Sequence, residues 1–327
     1  MNTFRQKGRV SLLFLGGAKR VAMARMFKDA ARRRGLECSI TGYELSSRSA
    51  MSCEGKITEG LRWDDPGLLA DLGRVSDENG IDIVLPFVDS AVGVAADFAA
   101  SEYAGGSVFA PVSERRRTEC MFDKITAADL FERLGLPIPP TWKHGAPCGH
   151  LIAKPRFGSA SKGLEKIDNL HDLYQIIGRG DDKYLIQQRF DKREEITADC
   201  YVGMHTGKIA AISPRRRGEV SGGEVVRTIT ISDPEAEALI RRTLVATGLR
   251  GAVTVQLLRD LDTGHLMIME INPRLGGGAV ASVHAGVDLP DLIIADALGQ
   301  DLPELHAIPG VETVRYLEDV VFYPEEK

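Results

Sequence analysis

The sequence predicts an α/β fold in its first third, an open parallel sheet, followed by an α+β part with largely antiparallel sheets. Two observations carry this. Before residue 112, short apolar runs alternate with segments of helical period, as in a parallel sheet covered on both faces. After the proline-rich break LPIPPTW (136–142), apolar runs come in pairs around tight turns, as hairpins do. The 327 residues allow roughly two domains of ~100–200 residues each.

Taken in order, Val10–Leu15 is the first strand, Val21–Arg34 is helical in period, and Cys38–Tyr43 is a second strand. Asp82–Leu85 and Ser107–Ala110 are further short runs, separated by helices over Pro66–Asn79 and Ser90–Ala100. The Gly16-Gly17 turn after the first strand lacks a G-x-G-x-x-G pattern, and no acidic residue is expected to close the second strand. A nicotinamide cofactor is therefore not expected; a tight turn facing a ligand crevice is. One helix follows over Glu114–Leu134. Beyond the break, YVGMHTGKIAAI turns at Thr206-Gly207, and VTVQLLRDLDTGHLMIMEI turns at Asp262–Gly264.

Hydrophobic content of 43% and charged content of 27% are those of a soluble globular protein. No apolar run approaches ~18 residues, so no membrane span is expected. The start, MNTFRQKGRVSLLFLGG, has no small-residue cleavage site and reads as a first strand, which points to the cytoplasm. A net charge of −5 argues against a general nucleic-acid binder. The Arg triplets at 32–34 and 115–117 read as solvated helix ends; the third, 215–217, lies in SPRRRGEVSGGEVV. Five cysteines, odd in number and without a CxxC pair, read as reduced. HGAPCGH (144–150) lacks a fourth ligand at zinc-like spacing, so no zinc site is expected there.

Three segments carry chemistry. In IAKPRFGSASKGL a short strand ends at Lys154, and a loop follows with Gly158, Ser159, Ser161, Lys162 and Gly163. Small residues let backbone N–H groups approach an anion, hydroxyls add donors, and Lys162 adds charge. In YLIQQRFDKREEITADCYV, Leu185–Gln188 reads as a strand whose end can present backbone groups to a flat heterocycle. Glu195 can accept from a ribose diol, and in an extended strand it shares a face with Asp199. In MIMEINPRLGGG, counting back from the turn sets Gln256 near the level of Glu270, and Asn272 shares the face of Glu270. Oxygen-only ligands suit Mg²⁺, and a carboxylate in an apolar strand needs such a partner, or a salt bridge to Arg274.

The order Lys124, Lys154, PRFGSASKG, QQRF…EEITAD, VTVQ and EINPRLGGG resembles the ATP-grasp superfamily, in the branch of the carbamoyl phosphate synthetase large subunit. The resemblance covers the whole chain. It implies a Rossmann-like domain over 1–112, a linker helix and small lobe over 113–190, and a large lobe with the metal site over 191–327. By the same resemblance, Lys124 and Lys154 hold ATP phosphates, and Gly158–Gly163 closes over them. Gln187, Gln188 and Phe190 belong to the hinge beside adenine, and Glu195 meets the ribose. Gln256, Glu270 and Asn272 hold Mg²⁺, for which Mn²⁺ can substitute; Lys162 and Arg274 are the catalytic candidates near the transferred phosphate. Arg215, Arg217, Gly276 and Gly277 border the acceptor.

The chain departs from the pattern at Gln188, where a Glu is usual, and within Asp191–Glu194, where a Gly is usual. The resemblance implies an ATP- and Mg²⁺-dependent ligase joining a small carboxylate to an amine or ammonia through an acyl phosphate. The rival is an ATP-binding regulator without turnover. A single unit does not match carbamoyl phosphate synthesis, which uses two phosphorylation sites in tandem. A homodimer is compatible with the resemblance.

Overall fold

The computed structural model describes residues 8–145, 149–158, 162–180, 182–221 and 224–323. The first part is a parallel sheet in the order β3-β2-β1-β4, with β1 Arg9–Leu15, β2 Glu37–Glu44, β3 Lys56–Glu59 and β4 Ile83–Pro86. Helices α1 Val21–Arg33, α2 Leu68–Asn79 and α3 Asp89–Ala100 connect them. β3 is short and polar, without the apolar run by which a sequence announces a strand. Ser107–Ala110 forms only an isolated bridge, Ile83 to Phe109, in place of the expected strand. Glu44 closes β2, where no carboxylate was expected. The backbone amides of Gly17 and Ala18 hold it, while burial raises its pKa.

The expected single helix over 114–134 is two, α4 Arg115–Phe122 and α5 Lys124–Arg133. Asp123 divides them because it caps α5, accepting from the amides of Ile125 (3.1 Å) and Thr126 (3.2 Å). A three-stranded antiparallel sheet follows, in the order β6-β5-β7: β5 Leu151–Pro155, β6 Glu165–Ile167 and β7 Tyr184–Gln188, with α6 Leu170–Ile177 against it.

A seven-stranded sheet contains the rest, its main path running β12-β11-β8-β9-β10-β14. Its strands are β8 Arg193–Val202, β9 Ile209–Ser221, β10 Glu224–Thr230, β11 Gly251–Asp260, β12 Leu266–Asn272 and β14 Glu312–Val314, and the two-residue β13 Leu305–His306 pairs with β9. The remaining helices are α7 Pro234–Thr247, α8 Ala279–His284 and α9 Leu289–Ala297.

One apolar core crosses between the first sheet and the last. Phe14 and Phe27 meet edge-on at 5.8 Å, a pair worth about 0.5–1.5 kcal/mol beyond its area. Leu292 and Ile293 of α9 join the same cluster, along with Tyr201. Arg33 and Arg34, expected as a solvated helix end, pair with Asp288, which caps α9, and with Asp291 in its first turn. By contrast, the three-stranded sheet has its own small core: Leu151, Ala153, Ile167, Leu173, Ile176 and Ile186.

Candidate active site

The seven-stranded sheet carries a polar face built by strand register. Gln256 on β11 is paired with Glu270 on β12 and with Thr197 on β8, and Thr197 with Arg215 on β9. Alternation along each strand adds Glu195 and Asp199, Ser213 and Arg217, and Asn272 to this side. A cleft lies between this face and the three-stranded sheet. The small sheet contributes Ile152, Lys154 and Gln188; the large sheet contributes Arg193, Glu195, Arg217, Gln256, Leu258, Met269 and Glu270. Lys124, Gly158, Lys162 and Phe190 complete the walls.

The cations are individually positioned. Lys124 begins α5 and donates to the carbonyl of Gly158 at 2.6 Å, which ties it to the glycine-containing loop. Asp123, beside it, is clamped by Arg156 at 2.6 Å, and that guanidinium holds the carboxyl below its usual range against the opposing effect of burial. Lys154 donates to Gln187 Oε1 at 2.8 Å. Burial pulls its ammonium down to about 8, with Glu270 opposing and the charges of Lys124 and Arg193 assisting. Lys124, Lys154, Lys162, Arg189, Arg193 and Arg217 against Glu195 and Glu270 make the described walls cationic, as a polyphosphate requires.

Several candidates take a different place from the one expected. Gln187 is buried outside the cleft lining, donating through Nε2 to the carbonyl of Pro139 at 3.1 Å; it positions Lys154 and does not face a base. Glu195 does line the cleft, but its carboxylate is already engaged by Arg193 at 3.0 Å and Arg217 at 3.3 Å. Asn272 is buried and donates to Glu270 Oε1 at 2.7 Å. Arg274 lies beyond the cleft and pairs at 2.6 Å with Asp89, at the start of α3. Arg215–Arg217 are in strand β9; Arg215 is 2% exposed and donates from Nε to Asp199 at 2.8 Å.

Gly276 packs on Thr254 and Asp199, and Gly277 beside Arg20. Gly163 follows the cleft wall with φ +73°, while Ser159 and Ser161 lie outside the described residues, as does Cys148 of the HGAPCGH segment. Arg193, Leu258 and Met269 were not anticipated. Alternation from Glu195 and Gln256 would have found the first two.

The donor set fits a hard divalent cation. Glu270 is half-buried and faces Lys154 electrostatically, Gln256 is level with it, and both line the cationic cleft. No cluster of three or more His, Cys, Asp or Glu side chains that could hold a metal ion occurs among the described residues. Cys38 is pushed up to about 12 by burial, and Cys200 also rises, so neither is poised as a thiolate.

Residues 181–320 match the family described as ATP-grasp in the biosynthetic pathway with Ter operon. The carbamoyl phosphate synthase large chain of Renibacterium salmoninarum is 25% identical over 179 residues, which are 47% of this chain and only 15% of that relative. The biotin carboxylase domain of Hydrogenobacter thermophilus 2-oxoglutarate carboxylase, solved with MgADP and bicarbonate, superimposes with a TM-score of 0.70 at 16% identity, over 92% of this chain and 72% of that one. An L-amino acid ligase from Bacillus licheniformis gives 0.67 at 17% identity, over 90% and 75%. No helix among the described residues is long and apolar enough to cross a membrane. Its matched region thus resembles an ATP-grasp family, its fold is that of the biotin carboxylase domain, and it is similar at low identity to the carbamoyl phosphate synthase large chain.

Proposed function

We propose that the protein is an ATP- and Mg²⁺-dependent ligase that joins a small carboxylate to an amine or ammonia through an acyl phosphate. The observation that carries this reading is the placement of Lys124, Lys154 and Lys162 in one cleft with Gln256 and Glu270. The lysines would hold the phosphates. Gln256, Glu270 and Asn272 would hold the cation, which supplies charge neutralisation at the transferred phosphoryl group. The apolar walls, Ile152, Leu258 and Met269, suit a flat base.

The remaining chemistry is positioning. Arg274, oriented by Asp89, would steady the acceptor carboxylate and the phosphoryl oxygens as charge develops between them. Its carbonyl is fixed by Thr254 Oγ1 at 3.0 Å, so the chain turns sharply into the Gly276–Gly278 loop, where the acceptor would lie. The amine then displaces phosphate, forming the C–N bond as the acyl–oxygen bond breaks, and loses its proton to water. The likeness in fold to a carboxylase domain and to an L-amino acid ligase supports this class of reaction.

The test is ADP release with Mg–ATP against pooled carboxylates and amines, for the protein and its Glu270→Ala variant. Release that requires an acid and vanishes in the variant is the expected result. Nucleotide binding without release from any acid, in either protein, would instead favour an ATP-binding regulator.

A further inference from the structure

The seven-stranded sheet ends at β14, which among the described residues has a neighbouring strand only on its β10 side. In an antiparallel ladder each residue turns both its N–H and its C=O to one side, and the side alternates along the strand. The carbonyl of Val311 accepts from the Thr230 amide at 3.0 Å, and the Arg315 amide donates to Val226 at 2.8 Å. Val311, Thr313 and Arg315 therefore face β10, and the backbone groups of Glu312, Val314 and Tyr316 face outward. Ion pairs hold this edge in place. Arg227 of β10 meets Glu312 at 2.5 Å, and Arg25 of α1 meets Glu318 at 3.7 Å.

The side chains along that edge are apolar and uncovered. Leu317 is 98% exposed, Tyr316 79% and Tyr323 82%, and Val314, Val321 and Phe322 are also open to solvent. At roughly 150–250 Å² for each aromatic side chain, the exposed parts of this strip offer roughly 500 Å² per copy. Single apolar residues scattered over a surface need no explanation, whereas a stretch of this size marks an interaction site. An open strand edge beside it is a template for another strand.

We propose that this edge joins two copies of the chain, β14 pairing antiparallel with its own two-fold mate. The edge itself specifies a second copy as its occupant. With the axis at Val314, the two Val314 residues exchange both backbone hydrogen bonds, and Glu312 stands opposite the partner's Tyr316. No like charges then oppose each other, as two glutamates would with the axis at Glu312. Two strips of roughly 500 Å² together reach about the 1,000 Å² that a specific interface needs. Such an isologous contact closes as a dimer and leaves no edge to propagate. Arg315 donates to the carbonyl of Gly277, so the interface is tied to the loop that follows β12, but the proposal does not use the ligase reading.

The test is analytical ultracentrifugation of the full chain from low to high micromolar concentration, with amide hydrogen exchange read at the same concentrations. A reversible dimer is expected, in which the amides of Glu312 and Val314 are protected and from which dilution releases them. Val314→Pro removes an outward N–H and leaves the bonds to β10, so it should weaken dimerisation by about tenfold or more, as should Leu317→Glu. Tyr316→Phe should leave the dimer intact, and circular dichroism of each variant checks its folding. A chain that stays monomeric throughout would overturn the proposal and leave the strip to a different protein. A dimer that both variants leave unchanged, or in which those two amides exchange freely, would overturn it as well. If a variant fails to fold, exchange in the unmodified chain still decides.

Discussion

Binding of ATP should draw a proton from solution, and Lys154 sets how much. With its ammonium at about 8, the side chain is about half neutral at pH 8 in the free protein. A bound polyphosphate favours the charged form and returns the pKa toward the ordinary lysine range near 10.4. Uptake per nucleotide should then be about 0.1 proton at pH 7, about 0.5 at pH 8 and about 0.9 at pH 9. The sign is fixed: a lysine with a depressed pKa is charged below about 8 and loses that charge as pH rises. Affinity should therefore weaken above pH 8, approaching tenfold, about 1.4 kcal/mol, per pH unit. The nucleotide does not mask the effect at pH 8 and above, because a phosphate's second proton, with a pKa of about 6, is about 99% gone there. Calorimetry at pH 8 in buffers of differing ionisation enthalpy measures the uptake directly. Lys154→Arg, always charged, should abolish it. Uptake below about 0.1 proton at pH 8 in the unmodified protein would refute this account of Lys154.

Other substitutions separate turnover from structure. Glu270→Ala should lower turnover by about 100-fold or more while ADP still binds, as stopped assays and titration would report. Asp89→Asn releases Arg274 from its 2.6 Å partner, and kcat should fall about 10-fold with KM for ATP little changed in steady-state kinetics. Arg215→Met strands Asp199, which is 1% exposed, and urea denaturation should show a loss of about 3–5 kcal/mol. Gly251→Ala places a Cβ 2.0 Å from the carbonyl of Pro111 at φ +76°, and calorimetric melting should reveal a loss of about 1–3 kcal/mol or more.

Counting from Asp262–Gly264 set Gln256 level with Glu270, and the two do pair, but through a bulge the sequence did not show: Leu257, Leu258 and Arg259 face Ile268, Met267 and Leu266, and the register shifts by one before Gln256. The parallel sheet was legible because its buried strands are continuous apolar runs. What else the sequence hid was long-range. Gln187 and Gln188 alternate across a strand, yet only tertiary packing decides which amide is buried on Lys154. The burial of Arg215 was hidden, since a triplet of arginines carries no period and its carboxylate partner Asp199 lies across a strand pair. The division of 114–134 into two helices was readable at Asp123, an N-cap residue with a threonine three places on, but the continuous helical composition concealed it.

The small core of the three-stranded sheet implies a hierarchy of opening. Its six buried apolar residues are a separate cluster, whereas the parallel sheet and the α9 side of the large sheet bury their apolar faces in common. A unit with so little shared apolar area should exchange its amide hydrogens through a local opening of lower free energy than global unfolding. Amides of Ala153 and Ile186 would then exchange before those of Leu13 and Val255. A nucleotide bridging Lys154 and Glu270 would bring the two classes together, so that occupancy of the cleft is read as protection across a sheet that the ligand touches only at its edge.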